Sequence, residues 1–420
     1  MGTTLPRAGL NRTVSAPPVV ADRPRLALLA LALGGFGIGT TEFVAMGLLP
    51  SIASDLKVSV PSAGNIVSAY ALGVVVGAPL IASLAARVPR RTLLVWLMVA
   101  YSAGNLLTVF APSYATVLMV RFLTGLPHGA FFGVAALTAA SLVEHHRRAQ
   151  SVAMVMMGLS VANVVGVPLA TGVGLAMGWR SAYVIVAVIG VVTVGALLAW
   201  VPQVGASPSG GPLAELGALR RPQVLLTLGV GIVGFGGMFA LYTYISPVLT
   251  SVAGYPVGAV PLVLALYGGG MVAGNFLGGW LADRALMAGL IGLSVALAVA
   301  LALFSLLAAR PVAAVVMAVL VAVAGSAMVP GLQTRLMDTA ADAQTLAAAL
   351  NHSALNVANA LGAWLGGLVI AAGFGYTAPA LVGSALAVGG LGVLVVSVLA
   401  QRRTDRQARA GVPQAELIRA

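Results

Sequence analysis

The sequence predicts an all-α membrane protein of twelve transmembrane helices, arranged as two pseudo-symmetric six-helix bundles. Three observations lead there. Of 420 residues, 60% are hydrophobic and only 8% charged, with a mean hydropathy of +1.03, whereas an ordinary soluble domain is about 25% charged. Apolar runs of roughly 20 residues recur, long enough at about 1.5 Å per residue to cross a hydrocarbon core near 30 Å thick. The second six runs also echo the first six.

Taken in order, residues 1–25 carry Arg7, Arg12, Arg23 and Arg25 but no apolar core, so they read as a cytosolic tail and not as a cleaved signal peptide. The N-terminal bundle, 26–202, holds spans 26–49, 64–86, 91–111, 116–140, 151–176 and 181–201. The polar interruption from Pro202 to Pro222 contains Gly205-Ala-Ser-Pro-Ser-Gly-Gly-Pro212, which makes 203–222 a flexible cytosolic linker. The C-terminal bundle, 223–400, holds spans 223–247, 257–282, 285–308, 311–333, 345–371 and 376–399, and 401–420 form a second cytosolic tail.

Two stretches support the duplication. Gly77-Ala-Pro-Leu-Ile-Ala-Ser-Leu-Ala-Ala-Arg87 aligns without gaps to Gly274-Asn-Phe-Leu-Gly-Gly-Trp-Leu-Ala-Asp-Arg284. Leu159-Ser-Val-Ala-Asn-Val-Val-Gly166 aligns at nearly the same offset to Leu355-Asn-Val-Ala-Asn-Ala-Leu-Gly362. The second and fifth spans of each half therefore fall in register.

Charge placement sets orientation. Eighteen basic residues fall on one side of the spans and only Lys57, Arg180 and Arg310 on the other, so the positive-inside rule puts both termini in the cytoplasm of a multi-pass protein of the cell's inner membrane. The net charge of +12 is thus a topology signal, with the lipid bilayer as partner and no nucleic acid required. The absence of cysteine removes disulfides and thiolate metal sites.

Within the spans only Glu42 and Arg121 carry a formal charge. A charge at the bilayer centre costs about 2.5 to 3.5 kcal/mol on insertion scales, so it persists by pairing, by facing a watery cavity, or both. Counting residues from the span ends places both about 8 to 10 Å below the same boundary. Either Glu42 accepts a proton beside Arg121 and couples it to function, or the two form a permanent pair that holds the first and fourth helices together.

Other polar candidates follow helical spacing. Arg121, Gly125, His128 and Phe132 share one face of the fourth span. His128 either titrates in a cavity or donates a hydrogen bond to substrate, or else is a neutral residue bonded to a neighbouring helix. Asn163 and its repeat counterpart Asn359, with Asn356 and His352 one and two turns away, either bond substrate or stitch helices together. Tyr70, Tyr242 and Tyr267 suit a mixed polar and aromatic pocket, and equally suit packing. No second histidine lies at metal-ligand spacing, so no metal is expected. Gly73, Gly77, Gly274, Gly278, Gly362 and Gly366 recur at four-residue spacing, which lets helix backbones approach closely. Pro168 lacks a backbone donor inside the fifth span and should bend it.

Certain residues carry a family resemblance: Thr41-Glu42-Phe43, Arg121-x-x-x-Gly125-x-x-x-Gly129, and Gly166-Val-Pro168-Leu with Gly172. With the duplicated halves, they make the chain resemble the major facilitator superfamily over its whole length. Within that superfamily it is similar to the twelve-helix drug:proton antiporter branch, of the arabinose-efflux and chloramphenicol-resistance type. The resemblance implies a small-molecule site between the halves near the midplane, protons as co-substrate, a gradient in place of any cofactor, and a single chain that works as a monomer. It also implies a latch on the cytoplasmic side formed by the loop after the second span. Arg87, Arg90 and Arg91 keep that pattern, whereas Ala82, Ala86 and Pro89 depart from it; Asp283 and Arg284 belong to the related stretch in the second half.

Three function classes remain open at this stage: a proton-coupled exporter of drug-like or sugar-like compounds, a facilitator or importer of a metabolite such as a sugar or nucleoside, and a polytopic enzyme or receptor. No Gly-x-x-x-x-Gly-Lys-Ser/Thr sequence occurs and the chain has a single lysine, Lys57, which argues against ATP-driven pumping. Glu144, His145 and His146 are the only clustered acid and histidines, and flanking Arg147 and Arg148 mark them as a solvated loop. The enzyme class is therefore the least supported.

Overall fold

The computed structural model describes residues 24–85, 87–203, 220–340 and 344–410. Nearly all of the first tail and of the linker, residues 86 and 341–343, and the last ten residues lie outside the described residues. Helices account for almost all that is described, and no strand occurs among the described residues.

Helix starts follow local chemistry. α1, Pro24–Gly47, opens on a proline whose missing N–H would have no helical partner at that position. A short α2, Leu49–Asp55, follows. α3, Val60–Leu84, starts four residues before the predicted span because Ser59 caps it, its Oγ accepting the Ser62 N–H at 3.2 Å, with Pro61 in the first turn. α4 is Arg90–Phe110. α5, Tyr114–Ser141, is fixed by a reciprocal Ser113/Thr116 capping box. α6, Arg148–Val161, and α7, Val167–Met177, form one span, and Gly178 at φ +89° turns the chain into α8, Trp179–Trp200. α9, Pro222–Gly229, α10, Phe235–Thr243, and α11, Ile245–Ser251, follow the linker.

The next two predicted spans run together as α12, Val260–Leu307. Ala285, at φ −156° and ψ 60°, breaks this helix at the predicted boundary. Among the described residues, eleven long apolar helices, of which Val257–Leu307 is 51 residues, therefore contain twelve crossings. α13, Pro311–Ala340, α14, Gln344–Ala371, and α15, Ala378–Ala410, complete the chain. The last helix extends well past the apolar window that defined its span.

Two spans widen locally. Ala162–Gly166 joins α6 to α7 as a π-turn, closed by the Val167 N–H on the Ala162 carbonyl. Val230–Gly234 is a second π-turn, joining α9 to α10. The first sits immediately before Pro168, so the irregularity expected of that proline takes the form of one wide turn.

The duplication is visible in atomic contacts. A Cβ at Gly73 or Gly77 of α3 would lie 2.0 or 2.1 Å from the carbonyl oxygens of Phe122 or Leu126 on α5. In the second half, a Cβ at Gly270 or Gly274 would lie 2.9 or 2.4 Å from the carbonyls of Val319 or Val323 on α13. Each of these four residues lies 197 positions after its counterpart: 73 to 270, 77 to 274, 122 to 319, 126 to 323. The same small-residue crossing has been built twice. Large apolar side chains such as Trp96, Phe110, Phe276 and Leu306 are exposed around the perimeter. That is costly in water and ordinary in lipid.

We call the end bearing Pro24 and the α3–α4 turn the near end, and the opposite end the far end. At the far end Asp55 accepts hydrogen bonds from Trp179 Nε1 at 3.0 Å and from Arg180, whose other nitrogens reach the Val109 and Ala111 carbonyls. The Arg180 and Trp179 donors hold the Asp55 carboxyl below its ordinary value of 3.8. A depressed carboxylate contributes stability that is present above the ordinary pKa and lost as pH falls through the lowered one. Both side chains are partly exposed, which keeps the contribution small. In detergent, Asp55→Asn should therefore show a small thermal deficit at pH 7 that shrinks toward pH 3; an equal deficit at both values would place the effect in packing.

Candidate functional site

The two intramembrane charges lie at the same level, as residue counting placed them, yet they do not form a salt bridge. Among the described residues the ion pairs are Asp55 with Arg180 and Glu144 with His146. Arg121 is fully buried and donates both terminal nitrogens to Thr41, to Oγ1 and to the carbonyl oxygen, each at 3.1 Å. Its guanidinium carbon stacks 4.1 Å from the Tyr70 ring and 5.2 Å from the Tyr183 ring. Thr41 donates onward to Asn105 Oδ1 at 2.6 Å, and Asn105 donates to the Tyr101 carbonyl. The cation is thus held by neutral oxygens and aromatic faces, the latter worth about 2 kcal/mol when desolvated.

Glu42, one residue on, faces the other half. It is 7% exposed, and its Oε1 accepts a long 3.5 Å bond from Asn359 Nδ2 of α14. The carboxylate therefore sits on the seam between the halves, while the guanidinium beside it is locked inside the first half. Of the two readings, a direct pair joining the first and fourth helices is not what the structure contains. The helices are joined instead through Thr41.

Around that seam most of the predicted polar residues carry an atom with no hydrogen-bond partner in the protein. They are Tyr242 Oη, Tyr267 Oη, His128 Nε2 and the Oδ1 atoms of Asn163, Asn356 and Asn359. Leaving one such buried atom unsatisfied costs about 1 to 3 kcal/mol. Six in one region are too many for simple packing and match a polar surface that meets water or a ligand. The remaining amide atoms are satisfied locally: Asn163 donates to the Leu159 carbonyl and Asn356 to the His352 carbonyl. Tyr242 and Tyr267 stack at 4.2 Å with planes 1° apart, and Phe43 tilts against Tyr242 at 5.7 Å.

The duplication gives this stack a meaning. Tyr267 lies 197 positions after Tyr70, and Ala318 lies 197 after Arg121. In the first half a guanidinium covers the tyrosine ring; in the second half that cation is absent and the Tyr242 ring covers it. The offset was readable in the sequence, but which ring fills the place of Arg121 was not.

Toward the near end, Tyr70 Oη bonds His128 Nδ1 at 3.1 Å. His128 meets His352 of α14 at 5.8 Å between ring centroids, with Phe132 against both. Toward the far end, Ser68 donates to the Ala360 carbonyl at 3.0 Å, and Gly268 packs on the Asn163 carbonyl so closely that a Cβ would lie 2.2 Å from it. Pro168 is buried just past the π-turn that carries Asn163.

The predicted latch residues stand apart from this site. Arg87 is exposed; Arg90 donates to the Leu137 carbonyl at 3.4 Å, and Arg91 donates to the Leu198 carbonyl. Both bonds stay within the first half. Asp283 is exposed, and Arg284 lies over the Trp280 ring at 4.5 Å.

Sequence reasoning passed over Arg335. It is 5% exposed near the near end of α13, donating to Ser397 Oγ at 2.6 Å and Gln223 Oε1 at 3.3 Å. The predicted span stopped at 333, two residues short, because hydropathy marks the apolar window and not the helix. Asn105 and Tyr101 were missed because a single amide or hydroxyl in an apolar helix carries no pattern of its own, and Thr41, although part of the Thr41-Glu42-Phe43 motif, was not read as the partner of Arg121.

A family profile described as Major Facilitator Superfamily matches residues 31–341. The chain belongs to the major facilitator superfamily. Among similar proteins, the major facilitator "Inner membrane transport protein YdhP" of Escherichia coli is 44% identical, over 90% of this chain and 97% of its own. A chloramphenicol resistance protein of Streptomyces lividans is 35% identical over 84% and 90%, and the putative transporter AraJ of Escherichia coli 31% identical over 92% and 97%. In fold, a bacterial homologue of the human lysosomal transporter Spinster, solved inward-facing and unoccupied, superposes with a TM-score of 0.67 at 19% identity, covering 90% of this chain and 95% of that one. The Escherichia coli xylose transporter XylE gives 0.67 at 14% identity, covering 88% and 97%. As a major facilitator, the chain is a multi-pass membrane transporter of a small molecule and not an enzyme.

Proposed function

We propose that this transporter is a proton-coupled exporter of small drug-like or sugar-like compounds, working by alternating access as a monomer in the inner membrane with both termini cytoplasmic. The proton gradient is its energy source and no cofactor takes part. The observation that carries this reading is Glu42: a carboxylate buried on the seam, touching Asn359 of the opposite half and unpaired with Arg121. A group that takes up charge in one arrangement of the halves and loses it in another has different contacts in each, which is what coupling requires. The unsatisfied oxygens of Tyr242, Tyr267, Asn163, Asn356 and Asn359 supply the polar lining for substrate. Similarity to a protein named for chloramphenicol resistance supports export as the direction. The eighteen-to-three split of basic residues supports the near end as the cytoplasmic one.

The test is flux across proteoliposomes with an imposed pH gradient, using a panel of substrates. Glu42→Gln, which keeps the shape and cannot ionise, is expected to cut gradient-driven flux at least about tenfold, the effect of 1.4 kcal/mol, while downhill exchange persists. Gradient-driven flux at the wild-type level in Glu42→Gln would remove Glu42 as the coupling acid. Wild-type flux indifferent to the gradient would make the protein a facilitator.

A further inference from the structure

The seam carries polar groups at two levels, and their register is set by equal steps on two helices. Arg121 and His128 are seven residues apart on α5; His352 and Asn359 are seven apart on α14. Two helical turns advance the chain about 10 Å. Because α5 runs toward the near end and α14 away from it, both histidines stand about 10 Å nearer the near end than the Glu42–Asn359 contact. There they meet, ring centroids 5.8 Å apart and rings 70° to one another.

We propose that His128 and His352 form a second proton-binding site, distinct from Glu42, in which one proton is shared between imidazoles of opposite halves. Three features carry this. His128 is fully buried, and its Nε2 has no partner in the protein. Its Nδ1 is already engaged by the Tyr70 hydroxyl at 3.1 Å, which fixes the ring and leaves Nε2 as the nitrogen free to react. Phe132, 5.5 Å from one ring and 5.2 Å from the other, walls the pair with an apolar face.

The chemistry is a single proton transfer. A proton from water adds to one imidazole, which then donates N–H to the lone pair of the other, and it leaves the same way; no other bond changes. The pair holds one proton and resists two, because a second would place like charges within about 6 Å. The titratable and charged groups facing it are Tyr70 from α3, Arg121 two turns away on α5, and Glu42 of α1 through Asn359, two turns along α14. Arg121 is a fixed cation and also opposes a second proton. Holding the proton ties α5 to α14 across the seam, and releasing it frees them. The use of this site in transport rests on the proton-coupled reading above; its existence does not.

Four histidines make the test direct, since only His128 and His352 lie at the seam, while His145 and His146 are adjacent in the near-end loop. Histidine-selective 15N NMR of the whole protein in detergent, titrated without substrate over about pH 5 to 8, should show His128 and His352 sharing one protonation step. His352→Gln should move the His128 midpoint by about one pH unit or more, and His128→Gln should do the same to His352, the mark of coupled sites. Glu42→Gln should leave the pair titrating. Midpoints unmoved by loss of the partner, or two imidazoles that stay neutral throughout, would overturn the proposal. If the pair titrates as expected while Glu42→Gln retains gradient-driven flux, the coupling role of Glu42 falls and the histidine site stands.

Discussion

Arg121→Met is expected to lower flux on the order of a hundredfold while leaving the folded protein nearly as stable as wild type. The two effects separate because the energetics of a buried cation run in opposite directions. Substitution removes two charge-assisted bonds to Thr41, about 1.5 to 3 kcal/mol each, and the contact with Tyr70. It also removes the cost of keeping an unpaired guanidinium out of water, several kcal/mol, and methionine fills much of the same volume. The net effect on thermal unfolding should be a shift of a few degrees at most. Transport has no such compensation. Arg121 holds Thr41, and through it the backbone that aims Glu42 at the seam. Losing about 2.7 kcal/mol of that positioning in one state of the cycle is a hundredfold in rate. Arg121→Lys should fall well short of rescue, since an ammonium cannot bridge Thr41 Oγ1 and the Thr41 carbonyl while stacking on a ring. Wild-type flux in Arg121→Met, or collapse of the fold without loss of specific activity in the surviving fraction, would reduce the residue to packing.

This asymmetry between halves is where sequence reading reached furthest and also where it stopped. Residue counting alone set Glu42 and Arg121 at one depth, because helix rise is a fixed quantity and the span ends are marked by polar residues. Direction around the helix was another matter. When every face of α1 is apolar, as from Leu26 to Leu33, no stripe tells which side meets α5 and which meets α14. The split of the pair, Arg121 inward on Thr41 and Glu42 outward on Asn359, depends on that rotation. The unbonded atoms of Asn163, Asn356 and Asn359 were likewise beyond reach. A sequence shows that an amide is present and not which of its two polar atoms the helix satisfies.

The duplication was legible and informative beyond its use in defining halves. Its 197-residue offset pairs Tyr70 with Tyr267 and Arg121 with Ala318, so it states that the second half lacks the cation. The structure adds the replacement, a parallel tyrosine stack. The division follows: at the seam the carboxylate and the guanidinium beside it belong to the first half, while the second presents phenol and amide groups. His352 is the exception, and it reaches across to the first half's His128.

Gly77→Ala should be among the most damaging single substitutions in the protein, although it adds one methyl group. That methyl would lie 2.1 Å from the Leu126 carbonyl oxygen and 2.5 Å from its Cα. Both are backbone atoms of a helix that cannot turn aside as a side chain does. Relief requires α3 and α5 to separate by more than 1 Å along a crossing that also includes Gly73, Gly125 and Gly129, each with a carbonyl within 2.2 Å of its would-be Cβ. Overpacking of this kind costs about 1 to 3 kcal/mol at an ordinary site and more where backbone must move. The expected result is a fall in folded yield and in the unfolding temperature of purified protein by roughly 5 °C or more. Gly274→Ala, at the matching position in the second half, should behave alike, with 2.4 Å to the Val323 carbonyl. Gly133→Ala and Gly279→Ala, where a Cβ meets nothing within 4 Å, should be neutral or slightly stabilising, since alanine favours helix. The contrast tests the repeat itself. If the two halves descend from one packing solution, counterparts must fail together and the open glycines must not. A wild-type unfolding temperature for either counterpart alone would mean that the halves have diverged in the crossing their sequences still share.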